Sequence, residues 1–189
     1  MSDAVPANRD APEPPKGALG AIFLIVFVDL LGFGIIIPLL PRYIPNFTEH
    51  PVKVTLLFSV FSIFQFIGAP VLGALSDRYG RRPVLIASQF GSAFGYLLLA
   101  FATQWTFSPE LTLALVYVSR VIDGFTGGNI STAQAYVSDV TTPANRARGM
   151  GMLGAAFGIG FTAGPFLGGL LGLKAAYAAA FLSSAAGCL

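Results

Sequence analysis

The sequence predicts an all-α, polytopic membrane helical bundle, and three observations predict it. Mean hydropathy is +0.73, with 54% hydrophobic and only 11% charged residues; a soluble fold of that composition would leave large apolar patches in water. Long apolar runs recur at 18–40, 54–75, 84–102, 111–135 and 149–172, and about 22 residues rising ~1.5 Å each match a hydrocarbon core of ~30 Å. Between the second and third runs lies Gly73-Ala74-Leu75-Ser76-Asp77-Arg78-Tyr79-Gly80-Arg81-Arg82-Pro83. Hydrocarbon tolerates neither free charges nor unpaired backbone groups, so this charged segment is expected as the water-exposed hinge of a membrane hairpin.

Each element follows in order. Residues 1–16 are polar, carry Pro6, Pro12, Pro14 and Pro15, and have no apolar period to bury; they are expected as a disordered tail ahead of a transmembrane half-bundle over 17–189. The first apolar run is too long for a signal-peptide core and lacks a small-residue cleavage site, so it is read as a permanent helix. Four more full-length runs follow. A sixth begins near Ala175 and reaches Leu189, and about 15 residues is short for a crossing.

Loop charges set the expected orientation. The tail, the second loop and the fourth loop hold seven basic residues (Arg9, Lys16, Arg78, Arg81, Arg82, Arg146, Arg148), whereas the other side holds three (Arg42, Lys53, Lys174). By the positive-inside rule the amino terminus and the 76–83 hinge face the cytoplasm, across a cell (inner) membrane.

Within the spans, ionisable residues are the chemical signal. Asp29 lies roughly 16 Å into the first helix, and Arg120 and Asp123 lie well inside the fourth. Their i, i+3 spacing puts Arg120 and Asp123 on one helical face, where each lowers the other's cost of burial. A purely structural ion pair is the plain reading. The functional one, preferred because buried ions in spans mark pathways, has Asp29, Arg120 and Asp123 lining an aqueous cavity that handles protons or a charged substrate. Gln65, Gln89, Asn129 and Gln134 are substrate-cavity candidates, since an amide in hydrocarbon must meet a helix, water or ligand. The phenylalanines, Phe23, Phe27, Phe61, Phe64 and Phe66 among them, offer stacking surface for a drug-like molecule, although most are expected to face lipid.

Gly160, Gly164, Gly168 and Gly172 recur every four residues in the fifth apolar run, with Gly154, Gly158 and Gly169 beside them. Such a stripe lets another backbone approach closely. Pro165 cannot donate to the carbonyl of Phe161, which predicts a kink there.

Other chemistry is excluded on context. One cysteine, Cys188, and one histidine, His50, leave too few ligands for a His/Cys metal site or a nucleophile–base pair, so neither a metal, a cofactor nor an enzyme is expected. Gly149-Met-Gly151-Met-Leu-Gly154 is a literal G-x-G-x-x-G without a preceding strand or a following acid, and there is no Walker loop. Asn46-Phe-Thr48 fits a glycosylation sequon of the kind that arises by chance. A net charge of +2 and no basic-aromatic stripe leave nucleic acid out.

These residues carry a resemblance to the major facilitator superfamily. Gly73-x-x-x-Asp77-Arg78-x-Gly80-Arg81-Arg82 resembles its signature between the second and third helices. Arg120 with Gly124 and Gly128 resembles its fourth-helix motif. Gly160-Phe-Thr-Ala-Gly164-Pro165-Phe-Leu-Gly168-Gly169 resembles the fifth-helix motif of antiporters. Asp29-Leu-Leu-Gly32-Phe-Gly34-Ile-Ile-Ile-Pro38-Leu-Leu-Pro41 and Ala135-Tyr136-Val-Ser-Asp139-Val-Thr141 are similar to the tetracycline-resistance-type branch of the drug/proton antiporters. The resemblance implies a major-facilitator fold, present as its first five helices plus an incomplete sixth. It implies a cytoplasmic gate at Gly73, Asp77, Arg78, Gly80, Arg81, Arg82 and Asp139. Proton coupling is implied at Arg120, a transport cavity at Asp29, and an interface between two halves at Gly160, Gly164, Pro165, Gly168 and Gly169. The tetracycline exporters carry an aspartate where this sequence has Gly95, so the likeness does not extend to tetracycline as substrate.

The function expected is therefore the amino-terminal part of a proton-coupled exporter of small amphipathic molecules working by alternating access. Its partners would be the lipid bilayer, a small-molecule substrate, protons and a carboxyl-terminal half-bundle. A transporter of a sugar or other metabolite, and a short product without transport activity, are the alternatives.

Overall fold

The computed structural model describes residues 17–44, 51–104, 108–172 and 174–188; the expected disordered tail at 1–16, His50 and the Asn46–Thr48 sequon lie outside them. Among the described residues seven α-helices follow one another: α1 (Ala18–Tyr43), α2 (Pro51–Tyr79), α3 (Arg81–Gln104), α4 (Pro109–Thr126), α5 (Ile130–Val140), α6 (Pro143–Leu171) and α7 (Lys174–Gly187). Among the described residues α1, α2, α3 and α6 are each long and apolar enough to cross a membrane. The fourth crossing, expected as one helix over 111–135, is α4 and α5 joined by a 3₁₀ turn at Gly127–Asn129. The reason is a close approach to α2. A Cβ on Gly124 would stand 3.0 Å from Phe61 Cα, and one on Gly128 would stand 2.7 Å from the Gly68 carbonyl carbon; only glycine permits that contact.

The helices outrun their apolar cores. α2 begins at Pro51 and α6 at Pro143, because a polar end turn projecting into water loses nothing by staying helical. The charged hinge shortens correspondingly. α2 continues to Tyr79 and α3 starts at Arg81, so Gly80, at φ 96°, makes the turn alone. That left-handed conformation penalises a side chain, and glycine adopts it freely. α6 runs unbroken through Pro165, so the expected kink produces no break in the helix.

α1 is the central helix. In its most apolar stretch 67% of residues are buried, against 17% in α2 and 22% in α6, which present Ile63, Phe66, Ile159 and Phe166 outward. The α1–α6 interface is the most extensive in the fold. Two dry clusters fill the interior. One holds Ile22, Val26, Leu30, Leu85, Val137 and Leu153, the other Leu31, Ile35, Leu39, Leu57, Leu99 and Val116. On α1 they meet at Asp29, and that level holds the polar groups of the candidate site.

Candidate functional site

At one end of the bundle, the Gly80 turn places the last turn of α2 against the first of α3. Arg81 pairs there with Asp77 through Nη1, with Asp139 through Nε at 3.1 Å, and donates to Ser76 Oγ at 2.7 Å. Ser76 in turn donates to the Gly73 carbonyl at 2.7 Å. Two carboxylates from different helices thus converge on one guanidinium, whose planar fork suits more than one acceptor. Asp77 and Asp139 are exposed, so water weakens each contact. Arg78 stacks its guanidinium 5.5 Å above its neighbour Tyr79, and Arg82 is exposed. A Cβ on Gly73 would meet nothing.

Midway along the bundle lies the second site. Arg120 Nη1 donates to Asp123 Oδ2 at 2.9 Å, and the two side chains are only 1% and 2% exposed. The spacing of three thus delivers the pair that it predicts. One contact does not satisfy Arg120, however, since its Nε and Nη2 remain buried without partners. Tyr96 and Ser92 of α3 are the next polar groups around Asp123, and Ser92 hydrogen-bonds Thr126 at 3.0 Å. Asp29 belongs to a different set. It accepts from Asn129 Nδ2 at 2.6 Å, and that same nitrogen donates to Ser88 Oγ at 2.9 Å. Among the described residues no basic side chain pairs with it.

Asp29 and Asp123 meet in a cleft of about 120 Å³ between α1, α2, α3, α4 and α6. Gln65 lines it and donates to the Gly127 carbonyl at 3.2 Å. Its apolar wall is aromatic: Phe33 sits 4.7 Å from Phe61 and edge-on to Phe161 at 5.8 Å, centroid to centroid. Of the other amide candidates, Gln89 and Asn129 are fully buried at the level of Asp29, whereas Gln134 is exposed on α5 and away from the cleft. Phe66 points outward, 82% exposed. Sequence reasoning missed Ser88, Ser92 and Tyr96. Their signal was present, since hydroxyls four residues apart in an otherwise apolar helix make one stripe.

The fifth-run glycines face α1. A Cβ on Gly164 would lie 2.7 Å from Gly34 Cα, one on Gly160 would meet Leu30 and Leu31, and one on Gly168 would meet the Ile35 backbone. Pro165 flanks Gly34 in the same seam. Gly169, like Gly154 and Gly158, would meet nothing within this chain. On α3, a Cβ on Gly95 would stand 3.1 Å from Asp123 Cβ.

The Major Facilitator Superfamily profile matches residues 22–189. The chain belongs to that superfamily. Tetracycline resistance protein class H of Pasteurella multocida is 42% identical over 154 residues, covering 80% of this chain and 36% of the relative. Class C of Escherichia coli is 38% identical over 173 residues, covering 90% and 41%. Major facilitator superfamily domain-containing protein 10 of Homo sapiens is 33% identical over 200 residues, covering 90% and 42%. The chain thus spans less than half the length of these curated relatives, and it corresponds to the amino-terminal half of the tetracycline-type branch of the superfamily. As in the superfamily at large, its helices form a multi-pass membrane bundle.

Proposed function

We propose that this chain forms the amino-terminal half of a proton-coupled exporter of small amphipathic molecules, and that Asp29, Arg120 and Asp123 are the charged lining of its half-cavity. The observation that carries the reading is the shared cleft. Asp29 and Asp123 line it together with an aromatic wall, and Arg120 holds Asp123 while keeping two donors unused. Buried ions in a membrane domain are expensive, and persist where pairing or water reaches them. A proton arriving at Asp123 would release Arg120, which would then seek another acceptor. That exchange of partners is how a proton would bias one arrangement of the helices over another. The phenylalanines and Gln65 supply stacking surface and one amide for a flat amphipathic substrate.

The 76–83 turn faces the cytoplasm in this reading, and Arg81 with Asp77 and Asp139 latches the cytoplasmic ends of α2, α3 and α5. Gly73, with open space beside it, leaves room for a neighbouring helix, and the outward faces of α2 and α6 suit a second half-bundle in the pseudo-symmetric manner of such transporters. The relatives named tetracycline resistance proteins support an export role. Gly95 argues against carrying over their substrate, because the resemblance gives those exporters an aspartate at this position of the third helix.

The test is the double substitution Arg120→Gln with Asp123→Asn, reading membrane abundance and proton-driven efflux of amphipathic dyes. Joint neutralisation strands no charge, so abundance should hold while efflux is lost. Normal abundance with normal efflux would make the pair structural.

A further inference from the structure

We propose that the cavity between the start of α1, the end of α5 and the start of α6 holds the headgroup and first acyl carbons of one anionic phospholipid. The inference does not depend on the transport reading. The cavity measures about 350 Å³; Thr142, Asn145 and Arg148 give it polar lining, Leu19, Val140 and Met152 apolar lining. It lies at the end of the bundle that carries the Gly80 turn, since Asp139, next to Val140, is bound to Arg81. Asn145, Arg148 and Met152 stand at i, i+3 and i+7 and share one face of α6. Along that face the polar groups come first and the thioether lies deepest. The apolar run of α6 begins at Gly149, one residue after Arg148, which sets the cavity at the level where headgroups give way to hydrocarbon.

The polar lining is unspent. Among the described residues the side chains of Thr142, Asn145 and Arg148 make no hydrogen bond or ion pair. The remaining polar groups at the cavity are already engaged: Thr141 donates its hydroxyl to the Val137 carbonyl at 2.6 Å, and the Thr142 carbonyl accepts from the backbone N–H groups of Asn145 and Arg146. What is left is one guanidinium, one amide and one hydroxyl, and none of the lining residues carries a carboxylate. A set of that kind, singly positive and rich in donors, suits the oxygens of a phosphate group. The same end of the bundle bears Arg78, Arg81, Arg82, Arg146 and Arg148 against Asp77 and Asp139, and this basic surplus draws anionic lipid in preference to zwitterionic lipid. The apolar lining decides between the two sources of phosphate, because a soluble phosphate would leave it uncovered whereas a phospholipid covers it with acyl carbons.

The experiment is thermal unfolding of the purified protein in detergent, titrated with short-chain phosphatidylglycerol, short-chain phosphatidylcholine or glycerol 3-phosphate, alongside native mass spectrometry to count retained lipid. The expected result is a saturable rise in Tm and one retained molecule with phosphatidylglycerol alone. Arg148→Gln should weaken that binding at least fivefold, and Asn145→Asp, which sets a carboxylate against the phosphate, should weaken it further. Arg42→Gln, equal in charge change but at the other end of the bundle, should leave it intact. An equal effect of glycerol 3-phosphate would make this a soluble-phosphate site, and an equal effect of phosphatidylcholine would remove the preference for anionic lipid; either overturns the proposal. Binding unchanged in Arg148→Gln, or weakened equally in Arg42→Gln, would overturn it as well.

Discussion

Asp123 is ion-paired with Arg120 and crowded by one residue that has no side chain. Arg120→Gln alone leaves its carboxylate buried and unpaired, and a stranded buried charge costs about 3–5 kcal/mol. The single variant should therefore be scarce in the membrane, and restoring abundance by adding Asp123→Asn is the check. Gly95 allows a sharper test. Its Cβ position lies 3.1 Å from Asp123 Cβ, so Gly95→Asp would force two carboxylates into one space. Loss of folded protein is expected, with recovery when Asp123→Gly is added, measured by the amount of monodisperse protein after detergent extraction. The charges themselves were legible in the sequence, because hydrocarbon makes every ionisable residue conspicuous. What periodicity left open was which groups meet. The i, i+3 pair follows from helix geometry, but the Asp29–Asn129 bond spans a hundred positions, and only the packing of α1 against the 3₁₀ turn creates it.

Between helices, closeness is decided by where side chains are missing. The glycine stripe of α6 predicts a close neighbour, yet a stripe carries no label for its partner; connectivity selects α1, whose Gly34 answers Gly164. The two sides of that stripe should behave differently. Gly164→Ala puts a Cβ 2.8 Å from the Leu31 carbonyl oxygen, and overpacking of this kind costs about 1–3 kcal/mol. Gly169→Ala meets open space and should leave Tm unchanged or slightly raised, since alanine favours the helix. A thermal melt of the two variants in parallel checks the assignment. The break at Gly127–Asn129 was not legible, because glycines inside a long apolar run are as compatible with a tolerated helix as with an interrupted one.

Across the whole molecule, the orientation and the latch can be tested independently of substrate. Ala147 is exposed near the start of α6, whereas Ser76 is buried beneath Arg81, so Ala147→Cys with Cys188→Ser is the better probe of sidedness. Labelling in intact cells should require a membrane-permeant reagent; reaction with an impermeant one would invert the topology. Asp77→Asn should slow transport by the complete transporter more than it lowers abundance, because exposed ion pairs add little stability while still biasing a conformational equilibrium. Efflux at normal rates and normal abundance would deny Arg81 and Asp77 a gating role. The two dry clusters that meet at Asp29 carry a mechanical consequence. At that level α4 gives way to the 3₁₀ turn, and the groups in contact are hydroxyls, amides and carboxylates whose bonds can be exchanged one for another. The fourth crossing is thus jointed at this level, while α1, α2, α3 and α6 run through it unbroken. Amide exchange at residues 127–130 should then outpace that of the helical turns on either side, marking the joint between α4 and α5.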